Sequence, residues 1–279
     1  MNRAKVVLVT GASTGIGRAT ALEMKKRGWR VFATVRRQAD VVDLTKVGRG
    51  MIEPLIMDVT DQAQVERAFD LIAERAGRLD ALVNNAGIAI AGPLERIPPE
   101  KLATQFEVNV LGVHRVTQAA LPMLRASQGR IVMMSSIAGE ETYPFYGPYS
   151  ASKHALEAYS DALRLELHGM VKVVVVQPGT VSTPIWAKGT SDELLEYANE
   201  HYPLAEIQRL QRIFSRVGAR GIEPEAVAEV VAKALELPWP PPHWPVMPRR
   251  SWPSLLLRLL PSVITDRIKL AAFRWPPRG

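Results

Sequence analysis

The chain has 279 residues, of which 47% are hydrophobic and 23% charged, a balance typical of globular proteins and a length that suits one large α/β domain. Its formal net charge of +7 favours an anionic ligand. It has no cysteine, which excludes disulfides, thiol nucleophiles and cysteine-ligated metal centres, and its 5 histidines lack metal-ligand spacing, so redox chemistry would need an organic cofactor.

The first predicted strand, Ala4 to Thr10, runs into a glycine-rich turn, and a helical pattern follows from Ala19 to Lys26. Glycines let the backbone approach a pyrophosphate, whose charge the N–H groups at the start of the next helix stabilise. A tight turn without a ligand would look similar, but the flanking strand and helix favour dinucleotide binding. The predicted contacts in this turn are Gly11, Ser13, Thr14, Gly15, Ile16 and Gly17.

The second predicted strand, Arg30 to Val35, ends in Arg36 and Arg37. In dinucleotide folds an acidic residue here binds the ribose 2′-hydroxyl, whereas arginine accommodates a 2′-phosphate. This chain has no acidic residue at that position. A solvated turn would also tolerate two arginines, but the pattern favours NADP(H) over NAD(H), with Arg36 and Arg37 as cofactor contacts.

Strand and helix patterns keep alternating to residue 177, at Ile52 to Val59, Asp61 to Ala76, Leu79 to Asn84, within Pro99 to Arg125, Arg130 to Ser135, Tyr149 to about His168, and Val171 to Gln177. Apolar strands separated by helices predict an α/β fold with a Rossmann-type, doubly wound parallel sheet in a single domain. Asp58 and Val59 end the third strand, and Asn85-Ala86-Gly87 follow the fourth. These residues are predicted to meet the cofactor at the ligand-binding edge of the sheet.

Tyr149 and Lys153 are four residues apart on a predicted helix, so their side chains project from the same face. A fixed cation beside a phenol favours the phenolate and lowers its pKa towards neutrality, which makes the pair a proton-transfer device. Such a pair also occurs by chance on solvated helix faces.

Taken together, these motifs resemble the short-chain dehydrogenase/reductase family over about residues 4 to 185. The cofactor motif TGxxxGxG is present from Thr10 to Gly17. The other matching positions are Asn84 to Gly87, Asn109, Ser136, Tyr149 with Lys153, and Pro178-Gly179 with Val181 and Thr183. The run Pro144 to Leu167 resembles the retinol and 17β-hydroxysteroid dehydrogenase branch.

The resemblance implies hydride transfer between a nicotinamide cofactor and an alcohol or carbonyl. Tyr149 would exchange a proton with the substrate oxygen, Ser136 would hydrogen-bond that oxygen, and Lys153 would hold the nicotinamide ribose and tune Tyr149. Asn109 would hold a water in a proton relay. Ser136 is preferred to Ser135 because it stands thirteen residues before Tyr149, as in the family. Further implied cofactor contacts are Pro178, Gly179, Val181 and Thr183.

Two other polar features near Tyr149 are given no catalytic role. Glu140 and Glu141 are adjacent acids that do not converge on one point, so they are interpreted as a solvated loop. His154 directly follows Lys153 and is expected to face away from the tyrosine–lysine side.

The segment from about 182 to 221 is rich in apolar and aromatic residues and is predicted to form a helical substrate lid. It favours a small lipophilic alcohol or ketone, although many of these side chains must pack the lid on the domain. A helix is predicted from Glu223 to about Leu237, and His243 to Met247 is interpreted as a last strand rather than as a proline-rich ligand. The dehydrogenase domain is thus assigned to 1–248.

Residues 249–279 form a basic C-terminal extension. Residues 243–279 carry seven Arg or Lys and one Asp, which is six of the seven net charges. Two short helices are predicted, from Trp252 to Leu260 and from about Ile264 to Trp275. They could fold back over the sheet edge or the pocket, or dock on an anionic membrane. No nucleic acid is expected, because the tail lacks a recognisable module.

The start of the chain shows no signal-peptide pattern, and no stretch is long and apolar enough to span a bilayer, which predicts a cytoplasmic protein and leaves peripheral membrane contact open. The resemblance implies a homodimer or homotetramer that pairs Val108 to Leu124 and Ala155 to Leu167. The alternative functions are a non-catalytic cofactor-binding scaffold or redox sensor, or a surface binder acting through the tail.

Overall fold

The computed structural model describes residues 4–183, 185, 192–219, 221–248 and 260–272. In this part of the chain one parallel sheet is formed by β1 (Val6–Val9), β2 (Arg30–Val35), β3 (Ile52–Ile56), β4 (Ala81–Asn84), β5 (Arg130–Met134), β6 (Lys172–Pro178) and β7 (His243–Val246). The strand order is β3-β2-β1-β4-β5-β6-β7. The chain winds outwards from β1 in one direction and then from β4 in the other, so the fold is the doubly wound, Rossmann-type α/β fold predicted from the sequence.

The described helices are α1 (Gly15–Lys26), α2 (Gln38–Gly48), α3 (Gln62–Ala76), α4 (Pro99–Phe106), α5 (Gly112–Ser127), α6 (Gly147–Glu166), α7 (Leu204–Ala219), α8 (Pro224–Glu236) and α9 (Ser262–Ala272). A π-helical turn, Glu107–Leu111, joins α4 to α5, and single 3₁₀ turns span Ile137–Gly139 and Asp192–Tyr197. None of the described helices is long and apolar enough to cross a membrane.

Each face of the sheet carries its own hydrophobic core, because successive strand side chains point to opposite faces. On one face Leu8, Leu82 and Ile131 pack with side chains of α3, α5 and α6. On the other, Val7 and Val83 pack with side chains of α1 and α8. All four residues of β1 are buried, which explains why the central strands are apolar throughout rather than alternating.

A third hydrophobic cluster lies between the sheet domain and the lid, away from both sheet cores. It contains Ala91, Phe145, Tyr146, Leu194, Tyr197, Ile207 and Leu210. The first three come from loops and the helix start of the sheet domain, and the last four from the 3₁₀ turn at 192–197 and α7. The predicted helical lid is therefore present, while 184, 186–191 and 220 of the predicted range lie outside the described residues.

One helix, α2, was not predicted from the sequence; it follows the two arginines after β2. The strand predicted near 243 is present as β7, paired in parallel with β6. The helix predicted after Glu223 is present as α8, with Pro224 in its first turn. Of the two predicted tail helices, the second corresponds to α9, and the first lies outside the described residues.

Helix α9 meets the sheet domain at the rim of the cavity described below, where Lys269 Nζ lies 5.4 Å from the ring centroid of Tyr143. Its apolar side chains are not buried by this contact: Val263 is 63% exposed and Ile264 45%. Leu260, Ile268 and Leu270 are likewise at least 40% exposed. One of the two alternatives for the tail was that it covers the domain with its apolar face, and α9 does not do so.

Candidate active site

A cavity of about 480 Å³ lies at the carboxyl ends of the strands. Parallel α/β sheets bind their ligands at this edge, because the loops on either side of the topological switch diverge there. One end is lined by the glycine loop, Arg36, Asp58 and Val59, and the middle by Asn85 to Gly87. The other end is lined by Ser136, Tyr149, Lys153, Pro178, Gly179, Val181 and Thr183.

The glycine loop has the geometry that an anionic group requires. Gly11 and Gly15 have φ of +65° and +56°, which residues with a Cβ rarely adopt. A Cβ on Gly17 would lie 2.4 Å from Gly11 O. Thr14 makes no side-chain cap at the start of α1, and the first turn has no acidic residue. The N–H groups and positive end of α1 are thus available to a pyrophosphate in the cavity.

Thr10 joins the glycine loop to the loop after β4, a role that the sequence reading missed. Its Oγ1 accepts hydrogen bonds from the N–H groups of Asn85 and Ala86, each at 2.9 Å. In return, Asn85 Nδ2 donates to Thr10 O at 2.8 Å. The acceptor is the β-hydroxyl of Thr10, so the presence of a threonine directly before the first glycine is the sequence feature that could have predicted this link.

The two arginines after β2 have different positions. Arg36 lines the cavity. Arg37 lies outside it and donates to both carboxylate oxygens of Asp40, from Nε at 2.9 Å and from Nη2 at 2.8 Å. The structure therefore brings Arg36, and not Arg37, to the predicted cofactor site. Asp58, also predicted to meet the cofactor, lines the cavity and accepts from Thr60 Oγ1 at 2.8 Å.

Tyr149, Ser136 and Lys153 meet at the inner end of the cavity. Burial raises the pKa of Tyr149 to about 12, while a hydrogen bond with Ser136 acts in the opposite direction. Lys153 is 5% exposed, and its Nζ donates to Met134 O at 2.7 Å and lies 5.7 Å from the centroid of the Tyr149 ring. Burial lowers the pKa of Lys153 to about 8, and the Glu157 carboxylate opposes this.

These shifts differ from the sequence expectation that Lys153 lowers the pKa of Tyr149 towards neutrality. Removal from water disfavours the phenolate and the ammonium alike, so burial raises the pKa of Tyr149 and lowers that of Lys153. The raised pKa of Tyr149 suits its phenol to donating a proton.

Asn109 lies in the π-helical turn between α4 and α5 and is 1% exposed. Its Nδ2 donates to Ile88 O at 3.0 Å and to Ser152 Oγ at 3.1 Å, and its Oδ1 accepts from Ile88 N at 2.9 Å. The structure therefore places Asn109 behind the cavity wall, where it fixes the loop after β4 to α6. Its predicted role in holding a relay water stays a prediction.

The interpretation of Glu140 and Glu141 as a solvated loop is wrong for Glu141, which is 8% exposed and accepts from Tyr143 Oη at 2.6 Å. Glu140 is exposed but accepts a hydrogen bond from Gln177. His154 is exposed, as expected, and bonds Ser150 O within α6 at 2.8 Å. Nothing in the local sequence pattern indicated that Glu141 would be buried.

The substrate side of the cavity is apolar and aromatic. Tyr143, Tyr146, Ile185 and Ile213 line it. The Tyr146 and Tyr149 rings meet edge to face, with centroids 5.7 Å apart. Ile185 and Ile213 lie in the segment that was predicted to form the lid, but the sequence pattern could not tell which of its residues face the cavity.

A cavity with the start of helix α1 at one end and the Ser136 hydroxyl, Tyr149 phenol and Lys153 ammonium at the other suits a dinucleotide whose redox-active ring would lie beside Tyr149. The class of protein that this defines is a nicotinamide-dependent oxidoreductase. A sequence model of the short chain dehydrogenase family matches residues 5–194. The chain belongs to the short-chain dehydrogenase/reductase family, and it is an NAD(P)-dependent oxidoreductase acting on alcohol or carbonyl groups.

Similar proteins agree with this assignment. An NADPH-dependent 3-dehydrocapnine reductase from Ornithobacterium rhinotracheale is 36% identical over 274 residues, which cover 95% of each chain. A 3-ketodihydrosphingosine reductase from Bacteroides thetaiotaomicron is 35% identical over 85% of this chain and 86% of its own. The crystal structure of a short-chain dehydrogenase from Streptomyces avermitilis is 29% identical, with a TM-score of 0.78, and covers 98% of this chain and 97% of its own.

Proposed function

We propose that the protein is an NADP(H)-dependent oxidoreductase that interconverts a lipophilic alcohol and its carbonyl, with Tyr149 as general acid/base. The observation that carries this is the meeting of Tyr149, Ser136 and Lys153 at one end of a cavity whose other end holds Arg36. The names of two similar proteins support the reductive direction and, in one case, the phosphorylated cofactor.

In reduction, the cofactor when bound supplies the hydride. Ser136 hydrogen-bonds the substrate carbonyl oxygen, and Tyr149 donates its phenolic proton to that oxygen as negative charge develops. Because burial raises the pKa of Tyr149 to about 12, the proton is present at neutral pH. The Lys153 ammonium beside the ring stabilises the phenolate that remains, and Asn109 holds the neighbouring loop and, in the proposed relay, a water that returns the proton.

The same cavity supplies the groups that would hold the cofactor. The glycine loop and the start of α1 would bind the pyrophosphate, and Arg36 the 2′-phosphate. Asp58 and Val59 would meet the adenine, and Lys153 the nicotinamide ribose. The remaining proposed contacts are Asn85, Ala86, Gly87, Pro178, Gly179, Val181 and Thr183.

The preference for NADP(H) is tested by a matched pair of variants, Arg36→Asp and Arg37→Asp. Each changes charge by the same amount at neighbouring positions, but only Arg36 lines the cavity. We expect Arg36→Asp to weaken NADPH binding and to narrow or reverse the preference over NADH, and Arg37→Asp to leave the preference nearly unchanged. Titration by fluorescence measures both constants. Tighter binding of NADH than of NADPH by the wild type would show that the preference is wrong.

The lipophilic substrate is inferred from Tyr143, Tyr146, Ile185 and Ile213 along the cavity. The test is turnover of a panel of ketones, graded from acetone to long-chain aliphatic, steroid and retinoid carbonyls, followed by NADPH oxidation. We expect kcat/KM to rise with apolar bulk. Equal turnover of short polar ketones would refute the lipophilic class, and no turnover of any carbonyl would favour the scaffold or redox-sensor alternative.

We also propose a homodimer or homotetramer formed through α5 and α6. Leu111, at the end of the π-helical turn, is 46% exposed, and Leu165 on α6 is 68% exposed. Apolar side chains at such exposure suit burial against a second copy. Light scattering at micromolar concentration tests this, and Leu165→Glu should shift the mass towards the monomer. A wild-type monomer would remove the proposal.

Contact with an anionic membrane surface is a second proposal, favoured by α9. Val263, Ile264 and Ile268 are exposed on a helix that reaches the cavity rim through Lys269, and the tail is strongly basic. Basic residues would meet anionic head groups while the apolar side chains enter the interface. Full-length protein should pellet with phosphatidylserine vesicles at low salt, less at high salt, and less after Ile264→Asp. Absence of pelleting at low salt would end this proposal.

A further inference from the structure

Two glutamates and a histidine meet beside the 3₁₀ turn that follows β5, and none of the three lines the cavity described above. Glu140 comes directly after this turn, Glu157 is on α6, and His243 begins β7. A carboxylate oxygen of each glutamate and a ring nitrogen of the histidine all lie within 4.8 Å of one another. Imidazole nitrogens and carboxylate oxygens are ligands of divalent transition metals, so these side chains could share one ion.

One oxygen of the buried Glu157 carboxylate has no hydrogen-bond donor. Glu157 is 8% exposed, and its Oε1 accepts from Gln177 Nε2 at 3.1 Å. Its Oε2 is buried and makes no hydrogen bond to any of the described residues, although His243 Nδ1 lies 3.2 Å away. Buried carboxylate oxygens normally have a partner because their desolvation is costly, so Glu157 Oε2 points to a ligand between it and the imidazole.

The other ring nitrogen of His243 is turned away from this group towards Asp161. His243 Nε2 lies 2.9 Å from Asp161 Oδ1, and Arg164 Nη2 donates to the same oxygen at 2.9 Å. Burial acts to raise the pKa of Asp161, but the hydrogen bonds from Arg164 and His243 bring it below its usual value, so Oδ1 is an acceptor. A ring that donates from Nε2 can present the lone pair of Nδ1 to a metal, and metal-binding histidines commonly donate their other N–H to a carboxylate in this way.

The two carboxylates are oriented from outside by one amide. Gln177 Nε2, on β6, donates to Glu140 Oε1 as well as to Glu157 Oε1. Hydrogen bonds of this kind to one oxygen of a carboxylate orient the group and are typical of metal-binding acids. The turn also makes room for Glu157, because a Cβ on Gly139 would lie 2.9 Å from Glu157 Cγ, closer than real Cβ atoms come.

The spacing of the ligand atoms suits zinc. Ligand atoms at about 2.0 to 2.2 Å from a tetrahedral zinc ion lie about 3.3 to 3.6 Å from one another. The 3.2 Å between His243 Nδ1 and Glu157 Oε2 is close to this value. Glu140 is an exposed side chain, so a small rotamer change can bring its oxygen from within 4.8 Å to the same spacing. Calcium and magnesium fit less well, because both prefer oxygen ligands alone.

We propose that Glu140, Glu157 and His243 bind a zinc ion, with Asp161 and Gln177 as the outer groups that orient these ligands. The ion joins α6 and the turn after β5 to β7, which is an edge strand of the sheet. Three protein ligands leave a fourth position to water. The spacing of the histidines along the chain did not indicate this site, because only one of its ligands is a histidine.

Zinc binding is measured by isothermal titration calorimetry on full-length protein, purified without a histidine tag and freed of metal with a chelator. We expect about one zinc ion per chain, and weaker binding of Mg²⁺. His243→Gln and Glu140→Gln each remove a ligand from a position that is not fully buried. Each should weaken zinc binding by at least about 10-fold, which is the smallest loss expected even for an outer group.

Stability gives a second readout, because zinc at this site binds the folded chain. With free zinc at about 100 times Kd, the Tm of the wild type should rise by about 5 to 10 °C. Neither ligand variant should show this rise at the same zinc concentration. Circular dichroism without zinc establishes that both variants are folded.

His201→Gln is the matched control. His201 Nε2 lies 3.6 Å from Glu200 Oε1, so it is also an imidazole beside a carboxylate, but the two side chains are 68% and 85% exposed. This variant should bind zinc as tightly as the wild type does.

Four results would overturn the proposal: no zinc binding by the wild type, wild-type affinity in either ligand variant, an equal loss in His201→Gln, or tighter binding of Mg²⁺ than of zinc. The first would show that a proton on His243, and not a metal ion, joins the carboxylates. It needs no variant, so it decides the matter even if a variant fails to fold. Zinc binding is measured without turnover, so its failure leaves the proposed oxidoreductase function untouched.

Discussion

The hydroxyl of Thr10 offers the sharpest test of how the cofactor cavity is built. Thr10→Val keeps the shape of a side chain that is 1% exposed and removes the oxygen that accepts from the N–H groups of Asn85 and Ala86. Asn85 N keeps a second acceptor, Val83 O at 3.0 Å, so the N–H of Ala86 is the group that loses its partner, at a cost of about 1 to 3 kcal/mol. For a chain of this size the Tm should fall by at least about 2 °C.

The matched control is Thr20→Val in α1. Thr20 is fully buried, but its Oγ1 has no hydrogen-bond partner among the described residues, so valine should leave stability unchanged or raise it. Thermal denaturation followed by circular dichroism compares the two, and NADPH titration should show weakened binding for Thr10→Val alone. Equal Tm values for the two variants would show that the loop finds other acceptors and that the reasoning about Thr10 is wrong.

Two further predictions concern the reacting groups. Tyr149→Phe removes the proton donor and keeps the ring, so turnover should fall by about 10²- to 10⁴-fold while the Kd for NADPH stays nearly constant; a variant with most of the wild-type turnover would exclude the mechanism. Lys153 has its pKa lowered to about 8 from 10.5, so its buried charge destabilises the fold below pH 8, and that cost disappears as pH rises towards 10.5. Chemical denaturation should therefore show the stability difference between wild type and Lys153→Met moving in favour of the wild type between pH 8 and pH 10, and a constant difference would contradict the shift.

The fold could be predicted from the sequence because its strands are apolar throughout and alternate with helices. The local sequence pattern was sufficient for this prediction, because a parallel strand that is buried on both faces is recognisable from its own run of apolar residues. Helix α2 was missed because its start carries no capping residue: Arg37 occupies the N-cap position, and its side chain pairs with Asp40 instead. The same pairing explains why only one of the two arginines reaches the cavity.

The motif residues of the site could be predicted because their spacing is visible in the sequence. The residues that surround them in the fold could not be predicted, because folding brings them together from distant parts of the chain. The raised pKa of Tyr149 follows from burial, to which side chains distant in sequence contribute. Glu141 could not be distinguished from a solvated acid, because its burial and the hydrogen bond that it accepts from Tyr143 exist only in the folded loop.

The separation of the hydrophobic clusters has a consequence for how this enzyme can change over evolutionary time. The seven side chains between the sheet domain and the lid form a cluster separate from both sheet cores, although Tyr149 packs against it. Effects of substitutions in clusters without shared contacts are close to additive, so exchanges at Leu194, Ile207 or Leu210 leave the two sheet cores at nearly full stability. New substrates are thus accessible by small mutational steps that do not weaken the sheet. Because the cluster also supports Tyr149, such steps act on the position of the reacting phenol as well.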